Sequence, residues 1–125
     1  MTIMQVIEEV HRLRTGCDLN DSRIIRDINR VEMYVLNEII NPRESYVSSS
    51  GCDEETDRDT ELVVPAPYDT VYVDYCCARI DKEYGDTERY NNSMIAYNTA
   101  MTEYKRFFWK NHRQSKRCRF FERGV

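Results

Sequence analysis

One stripe of large apolar and aromatic side chains, between residues 87 and 112, constrains the fold of this chain more than any other feature. Its members recur at alternating steps of four and three residues: Tyr90, Met94, Tyr97, Met101, Tyr104 and Phe108. This spacing is typical of a helix that packs lengthwise against other helices. Such a helix is about 40 Å long at ~1.5 Å per residue, enough to run the height of a small bundle.

Length and composition favour a single helical domain. The chain has 125 residues, of which 32% are charged, and it contains only four Gly and three Pro. Many charges suit helices with one buried stripe, and the scarcity of turn residues disfavours a β-sandwich or barrel. We predict an all-α fold: an antiparallel helical bundle of about four helices, with a long acidic loop and a C-terminal tail.

The first helix is predicted from a capping box and an apolar face. Thr2 and Gln5 have the capping-box spacing, and Gly16 marks the end of the helix. Glu8 and Arg12 are expected to form an exposed ion pair. The apolar face consists of Ile3, Val6, Ile7, Val10 and Leu13.

The second helix is expected to pack antiparallel to the first, since only a short polar turn joins them. Asn41-Pro42 is expected to end it. The candidates for its cap are Asn20, Asp21 and Ser22. Its apolar face consists of Ile24, Ile25, Ile28, Val31, Val35, Leu36 and Ile39.

The third helix is predicted to start at Pro67 and to form a tight hairpin with the fourth. Residues 62–64 are read as a short extended segment before it. Gly85-Asp86 makes the hairpin turn, and Thr87 is expected to cap the fourth helix. Because the third helix is apolar on nearly every side, we expect it to be covered on several faces. Those side chains are Tyr68, Val71, Tyr72, Val73, Tyr75, Cys76, Cys77, Ala78, Ile80 and Tyr84.

Residues 43–61 lack apolar periodicity and are predicted to form a mobile, exposed loop within one domain, residues 1–112. The acidic side chains that follow its serine-rich start are Asp53, Glu54, Glu55, Asp57, Asp59 and Glu61. They lack the spacing and the glycine of an EF-hand, so no metal site is predicted there.

Charge is distributed unevenly along the chain. Residues 105–125 hold eight basic side chains against the single Glu122, a local balance of +7. The net charge is −4, so the other residues carry −11. The basic side chains are Lys105, Arg106, Lys110, Arg113, Lys116, Arg117, Arg119 and Arg123. We read residues 113–125 as a basic tail that becomes ordered only against a partner.

No catalytic, cofactor or metal motif is legible, so we predict that the protein is not an enzyme and needs no cofactor. His11 and His112 are expected to be surface residues. The cysteines are expected to be buried or idle free thiols: Cys17, Cys52, Cys76, Cys77 and Cys118. With no membrane span or signal-peptide core in the sequence, we expect a soluble protein made in a cytoplasm, without a membrane partner.

The stretch from Pro65 to Trp109 resembles the C-terminal helical hairpin of a family of head-tail connector (adaptor) proteins of tailed bacteriophages. The resemblance is carried by residues 65–72, Ile80-Asp81, Gly85-Asp86, residues 89–93, Tyr97-Asn98, Tyr104 and Phe108-Trp109. The hairpin signature and core positions are Pro65, Pro67, Tyr68, Tyr72, Tyr90, Met94, Tyr97, Met101, Tyr104, Phe108 and Trp109.

The resemblance implies a structural virion protein, made in the host bacterial cytoplasm and located in the neck, at the head-tail interface. It implies a homo-oligomeric, dodecameric ring between the portal protein and a neck or tail completion protein. DNA would pass through the channel without sequence-specific binding. The tail implied to dock on the portal contains Arg113, Lys116, Arg117, Arg119, Phe120, Phe121 and Arg123.

Two other functions are compatible with the sequence. A small nucleic-acid-binding or packaging accessory protein would use the basic tail to neutralise phosphates and its aromatic residues to stack on bases. A simple helical dimer with a regulatory or scaffolding role would pair the stripe of residues 90–108 between two chains. The aromatic content and the other amphipathic helices favour burial of that stripe within one subunit instead.

Overall fold

The described part of the chain folds into a bundle of four α-helices with one π-helical segment. The computed structural model describes residues 1–17, 19–41 and 51–124, with side chains as far as Asn111. In chain order the elements are α1 (Ile3–Leu13), α2 (Asp21–Tyr34), the π-helical segment Val35–Ile40, α3 (Thr70–Glu83) and α4 (Thr87–Gly124). The described residues contain no strand, only an isolated antiparallel bridge between Thr2 and Glu61. The prediction of an all-α bundle is confirmed.

Helix α1 runs antiparallel to α2 and parallel to α3. The imidazole of His11, near the end of α1, lies 2.8 Å from Asp21 at the start of α2, as the predicted antiparallel packing requires. Two polar contacts join α1 to α3 at corresponding ends: Met1 with Asp69 at 3.4 Å, and Arg14 with Asp81 at 2.8 Å. The described α2 and α4 both run opposite to α3, and the α3–α4 hairpin is tight, as predicted.

Helix α3, rather than α4, is the centre of the bundle. It contacts α1, α2 and α4, and it is buried on several sides, as its sequence predicts. Its buried residues are Val71, Tyr72, Val73, Cys76, Cys77, Ala78, Ile80 and Asp81. In the stripe on α4, only Met101 and Tyr104 are buried, because among the described helical elements the backbone of α4 packs closely only against α3 and the π-helical segment.

The predicted apolar faces of the first two helices are largely correct. Thr2 and Gln5 form the complete capping box, and Asn20 is the residue that caps α2. Leu13 was expected in the core but is 41% exposed, since no described element covers that side of the last turn of α1. Arg12 pairs with Glu9, one helical turn away, and not with Glu8.

The second helix continues as a π-helix up to Ile40. The amide of Asn41 donates to the carbonyl of Leu36 at 2.9 Å, and this bond spans five residues instead of four. The wider turn places four side chains in the core: Val35, Leu36, Ile39 and Ile40. The helix ends beside Pro42 as predicted, although Pro42 itself lies outside the described residues.

Three predicted boundaries near α3 and α4 are wrong. Helix α3 begins at Thr70 and not at Pro67, because the preceding amides close tight turns, such as Tyr68 to the carbonyl of Pro65 at 3.0 Å. Asp86, instead of Thr87, caps α4: its carboxylate accepts from the amide of Arg89 at 3.1 Å. Helix α4 does not end near residue 112, since its backbone stays helical to Gly124.

The acidic segment, residues 53–61, is not the mobile loop predicted for 43–61; residues 42–50 lie outside the described part of the chain. Its backbone carbonyls at Arg58 and Thr60 accept from Met4 and Ile3 at 2.9 and 3.2 Å. These amides belong to the first turn of α1, where a helix has no internal acceptors for them. The acidic side chains are exposed, as expected, but the backbone serves as part of the cap of α1.

Candidate assembly surfaces

The hairpin of α3 and α4 places the signature residues in two different environments. Pro65 and Pro67 are exposed, and the Ala66–Pro67 peptide bond is cis. Tyr68 is half-buried, with its ring 5.9 Å from that of Tyr104 and 5.2 Å from that of Phe107. The remaining signature side chains at this end pack on the core from partly exposed positions: Phe108 and Trp109. An aromatic cluster therefore covers the end of the bundle from which α4 emerges.

Glu32 and Tyr72 form a buried polar link between α2, α3 and the chain before α3. Glu32 is 6% exposed and Tyr72 is fully buried. The tyrosine hydroxyl donates to Glu32 Oε1 at 2.5 Å and accepts from the amide of Val64 at 3.0 Å. The amide of Val63 donates to Glu32 Oε2 at 3.0 Å. Burial raises the pKa of Glu32, although these hydrogen bonds act in the opposite direction.

Arg14 and Asp81 form a second polar link, which joins α1, α3 and α4. Two nitrogens of the Arg14 guanidinium donate to the two carboxylate oxygens of Asp81, each at 2.8 Å. The Ser93 hydroxyl, on α4, donates to the same carboxylate at 3.2 Å. Asp81 is 3% exposed, so the pair is largely removed from water. The hydrogen bond to Asp81 raises the pKa of Arg14.

Asp74 is a half-buried carboxylate without a hydrogen bond or ion pair among the described residues. Burial raises its pKa from the ordinary 3.8 to about 6. The folded state therefore holds this proton more tightly than the unfolded state, and stability is lost as pH rises from about 4 to 6.

We expect Asp74→Asn to be more stable than the wild type at pH 7, by roughly 1–2 kcal/mol, and not at pH 4. The reason is that the amide cannot ionise, so it avoids the cost of a half-buried charge. Chemical denaturation of both proteins at the two pH values measures the difference. An equal difference in the free energy of unfolding at both pH values would contradict a raised pKa of Asp74.

Helix α4 is much longer than the hairpin partner against which it packs. Its 38 residues span ~57 Å, whereas the 14 residues of α3 span ~21 Å. The part of α4 that extends past α3 contains most of the basic residues between 105 and 125. The side chains of the predicted docking residues 113–123 lie outside the described part of the chain, so their contacts stay a prediction.

Four arginines from two helices form a further surface, which the sequence analysis missed and which we call the arginine face. Its members are Arg23, Arg26 and Arg30 on α2 and Arg79 on α3. In the described structure the backbones of α2 and α4 do not pack against each other, so this side of α3 stays open between them except where Lys105 of α4 reaches Tyr34 at the end of α2. Three tyrosines border it: Tyr34, Tyr75 and Tyr97, the last two with rings 5.4 Å apart.

The arginine face is positively charged within an otherwise acidic body. Asp27 lies among the arginines, with its Oδ1 4.0 Å from Arg79 Nε, and Arg23 pairs with Glu83. Burial raises the pKa of Asp27, while all four guanidinium groups act to lower it. Lys105 adds a fifth cation, 5.1 Å from the ring centre of Tyr34. Five cations thus face two carboxylates.

The sequence contained one signal for this face that could have been used. Arg23, Arg26 and Arg30 follow at steps of three and four, which places them on one side of a helix. Arg79 is far away in sequence, and only the packing of α3 against α2 brings it to the same surface.

Other kinds of site find less support in the described residues. They contain no group of three His, Cys, Asp or Glu side chains placed to hold a metal ion. The four cysteines with described side chains are free thiols, buried or partly buried as predicted: Cys17, Cys52, Cys76 and Cys77. None of the described helices combines the length and the apolar character needed to cross a bilayer. No family model, no curated protein and no solved structure matches this chain.

Proposed function

We propose that this protein is a head-tail connector of a tailed bacteriophage, a structural virion protein that forms a ring between the portal and the next neck or tail component. The observation that carries the proposal is the α3–α4 hairpin, whose residues 65–109 resemble that family and whose second helix extends far past the first. A ring of such subunits would extend the channel through which DNA passes. Its dodecameric state and its place in the virion neck are part of the proposal.

The polarised charge of the chain supports a subunit with two different ends. A ring is built from heterologous contacts, in which unlike surfaces of neighbouring copies meet. An acidic body and a basic end provide unlike surfaces, and they set the orientation of a partner at long range. The polar links at Glu32 and Asp81 join the helices of one subunit, which favours a stable building block for a ring.

Replacing four residues of the tail with alanine tests the docking role: Arg117, Arg119, Phe120 and Phe121. We expect this variant to lose attachment to the portal, because a basic and aromatic end provides both charge and apolar contact area. The bundle should stay folded, since the described core of residues 3–104 includes none of these positions. Co-sedimentation with the portal, with circular dichroism as the control, measures both effects. Unchanged attachment would remove the tail from the docking role.

Electron microscopy of the protein mixed with its phage's portal tests the function itself. A ring of this protein stacked coaxially on the portal is the expected result. Mass determination of the protein alone provides the reference state, because assembly subunits can wait as monomers until a template concentrates them.

The second candidate function is a nucleic-acid-binding or packaging accessory protein, favoured by the +7 balance of residues 105–125. It predicts DNA binding that weakens with salt and is lost when residues 113–125 are deleted. Such binding, together with no portal complex, would replace the connector proposal.

A further inference from the structure

We propose that the arginine face binds the acidic segment of a second copy of this chain. The arginine face provides guanidinium groups from α2 and α3, and the acidic segment provides six carboxylates against the single Arg58. Guanidinium groups bind carboxylates through two parallel hydrogen bonds, which give geometric specificity as well as attraction.

Two arginines of this face are available for a partner. Arg26 and Arg30 are exposed, and neither forms an ion pair within 4 Å in the described part of the chain. The neighbouring Tyr75 hydroxyl raises the pKa of Arg30. The Nε of Arg79 is inaccessible to water and has no hydrogen-bond partner among the described residues. On this face Arg23 and Arg79 pair with carboxylates of the same chain, whereas Arg26 and Arg30 have no ion pair among the described residues.

The acidic segment is shaped before any partner arrives. Asp53 Oδ1 accepts from the amides of Glu55 and Thr56 at 2.9 and 3.0 Å, and Asp57 Oδ1 accepts from the amide of Asp59 at 2.9 Å. These turns and the backbone bonds to α1 fix the segment. A segment that is already ordered loses less conformational entropy when it binds.

Three acidic side chains of this segment are exposed and form no ion pair among the described residues: Glu54, Glu55 and Asp59. Glu54 and Arg26 border the same hollow on α2, together with Ser22 and Asn29. No ion pair joins Glu54 to Arg26 within the described chain, so both surfaces remain free for a neighbouring molecule.

A second copy suits this face better than DNA does. The residues before 105 carry a net charge of −11, so most of the body repels both DNA phosphates and another copy of the chain. At the arginine face the local charge is positive, so carboxylates are attracted there. Every copy carries such carboxylates in its acidic segment. The pairing therefore selects both the partner and its orientation. This contact deepens the proposed connector function. Its place in a ring rests on that function, whereas the contact itself does not.

Two charge-reversed variants test the contact from both sides. R26E/R30E makes the arginine face acidic, and E54K/E55K makes the acidic segment basic. We expect the wild type to self-associate in sedimentation velocity at low salt, and each variant alone to associate about tenfold more weakly or worse. The matched control R12E/R89E reverses two exposed arginines elsewhere and should associate like the wild type.

Mixing the two variants is the decisive step. The basic segment of E54K/E55K meets the acidic face of R26E/R30E, while the remaining wild-type surfaces of the two chains also match. We therefore expect the 1:1 mixture to recover wild-type association. Circular dichroism checks the fold of each variant, and R26Q/R30Q replaces R26E/R30E if the latter loses helix content.

Several results would overturn the inference. They are a wild type that stays monomeric at every concentration, variants that associate like the wild type, and a mixture that fails to recover. If R26E/R30E instead loses binding to a short DNA duplex while self-association is unchanged, the face belongs to nucleic acid. A portal-bound ring made by both variants would refute this contact and leave the connector function intact. Recovered self-association without any portal complex would support this contact and refute the connector function.

Discussion

Replacing Asp81 with alanine is expected to lower the free energy of unfolding by about 3–5 kcal/mol. Asp81 is 3% exposed and accepts two hydrogen bonds from Arg14, whose side chain is 13% exposed. Removing the carboxylate leaves a nearly buried guanidinium without its counter-charge, and Ser93 also loses its acceptor. Denaturant unfolding of the wild type and the variant measures this loss.

The pair Arg14→Met and Asp81→Leu provides the test of mechanism. If the loss comes from an uncompensated charge, replacing both partners with apolar side chains should restore most of the stability, because the double variant has no unpaired charge at this position. Glu9→Ala is the matched control, since it breaks an ion pair on the solvent-facing side of α1 and is expected to change little. A double variant as unstable as Asp81→Ala would show that packing, not charge, accounts for the loss.

Replacing Glu32 with leucine is expected to lower the free energy of unfolding by about 3 kcal/mol. The carboxylate accepts from the Tyr72 hydroxyl and from the amide of Val63, and both donors are left without an acceptor in the core. Glu38→Leu, an exposed position on the same helix, is the control and should change stability by about 0.5 kcal/mol or less.

Hydrogen exchange distinguishes this effect from a general loss of stability. Because Glu32 and Tyr72 hold the amides of Val63 and Val64, these two amides should exchange faster than core amides of α2 in Glu32→Leu. Tyr72→Phe should accelerate Val64 as well, and the double variant should lose less than the sum of the two. Equal acceleration across the bundle would contradict a local anchor.

The sequence by itself determined the local features of the fold. The capping box at Thr2, the apolar face of α2 and the tight turn between α3 and α4 depend on neighbouring residues, and the structure confirms all three. It also indicated that α3 is covered on several sides, because apolar residues occur around its whole circumference. The connector function rests on a resemblance and stays a proposal.

Only the tertiary structure decided what covers each face. Periodicity identifies which side of a helix is apolar, but it does not say how much of that side another element reaches. Four of the six residues of the stripe on α4 are therefore only partly buried, and α3 occupies the centre. Backbone pairing leaves no pattern in the sequence, so the docking of residues 53–61 on α1 was missed.

The polar links, and the place of Arg79 in the arginine face, could not be predicted from the sequence for the same reason. Arg14 and Asp81 are 67 positions apart, and Arg79 reaches the arginines of α2 only through packing of α3. Spacing along one helix can place residues on a common side, but it cannot pair them with residues from another helix. The sequence determined the helices and their faces, and the packing around α3 determined the candidate assembly surfaces.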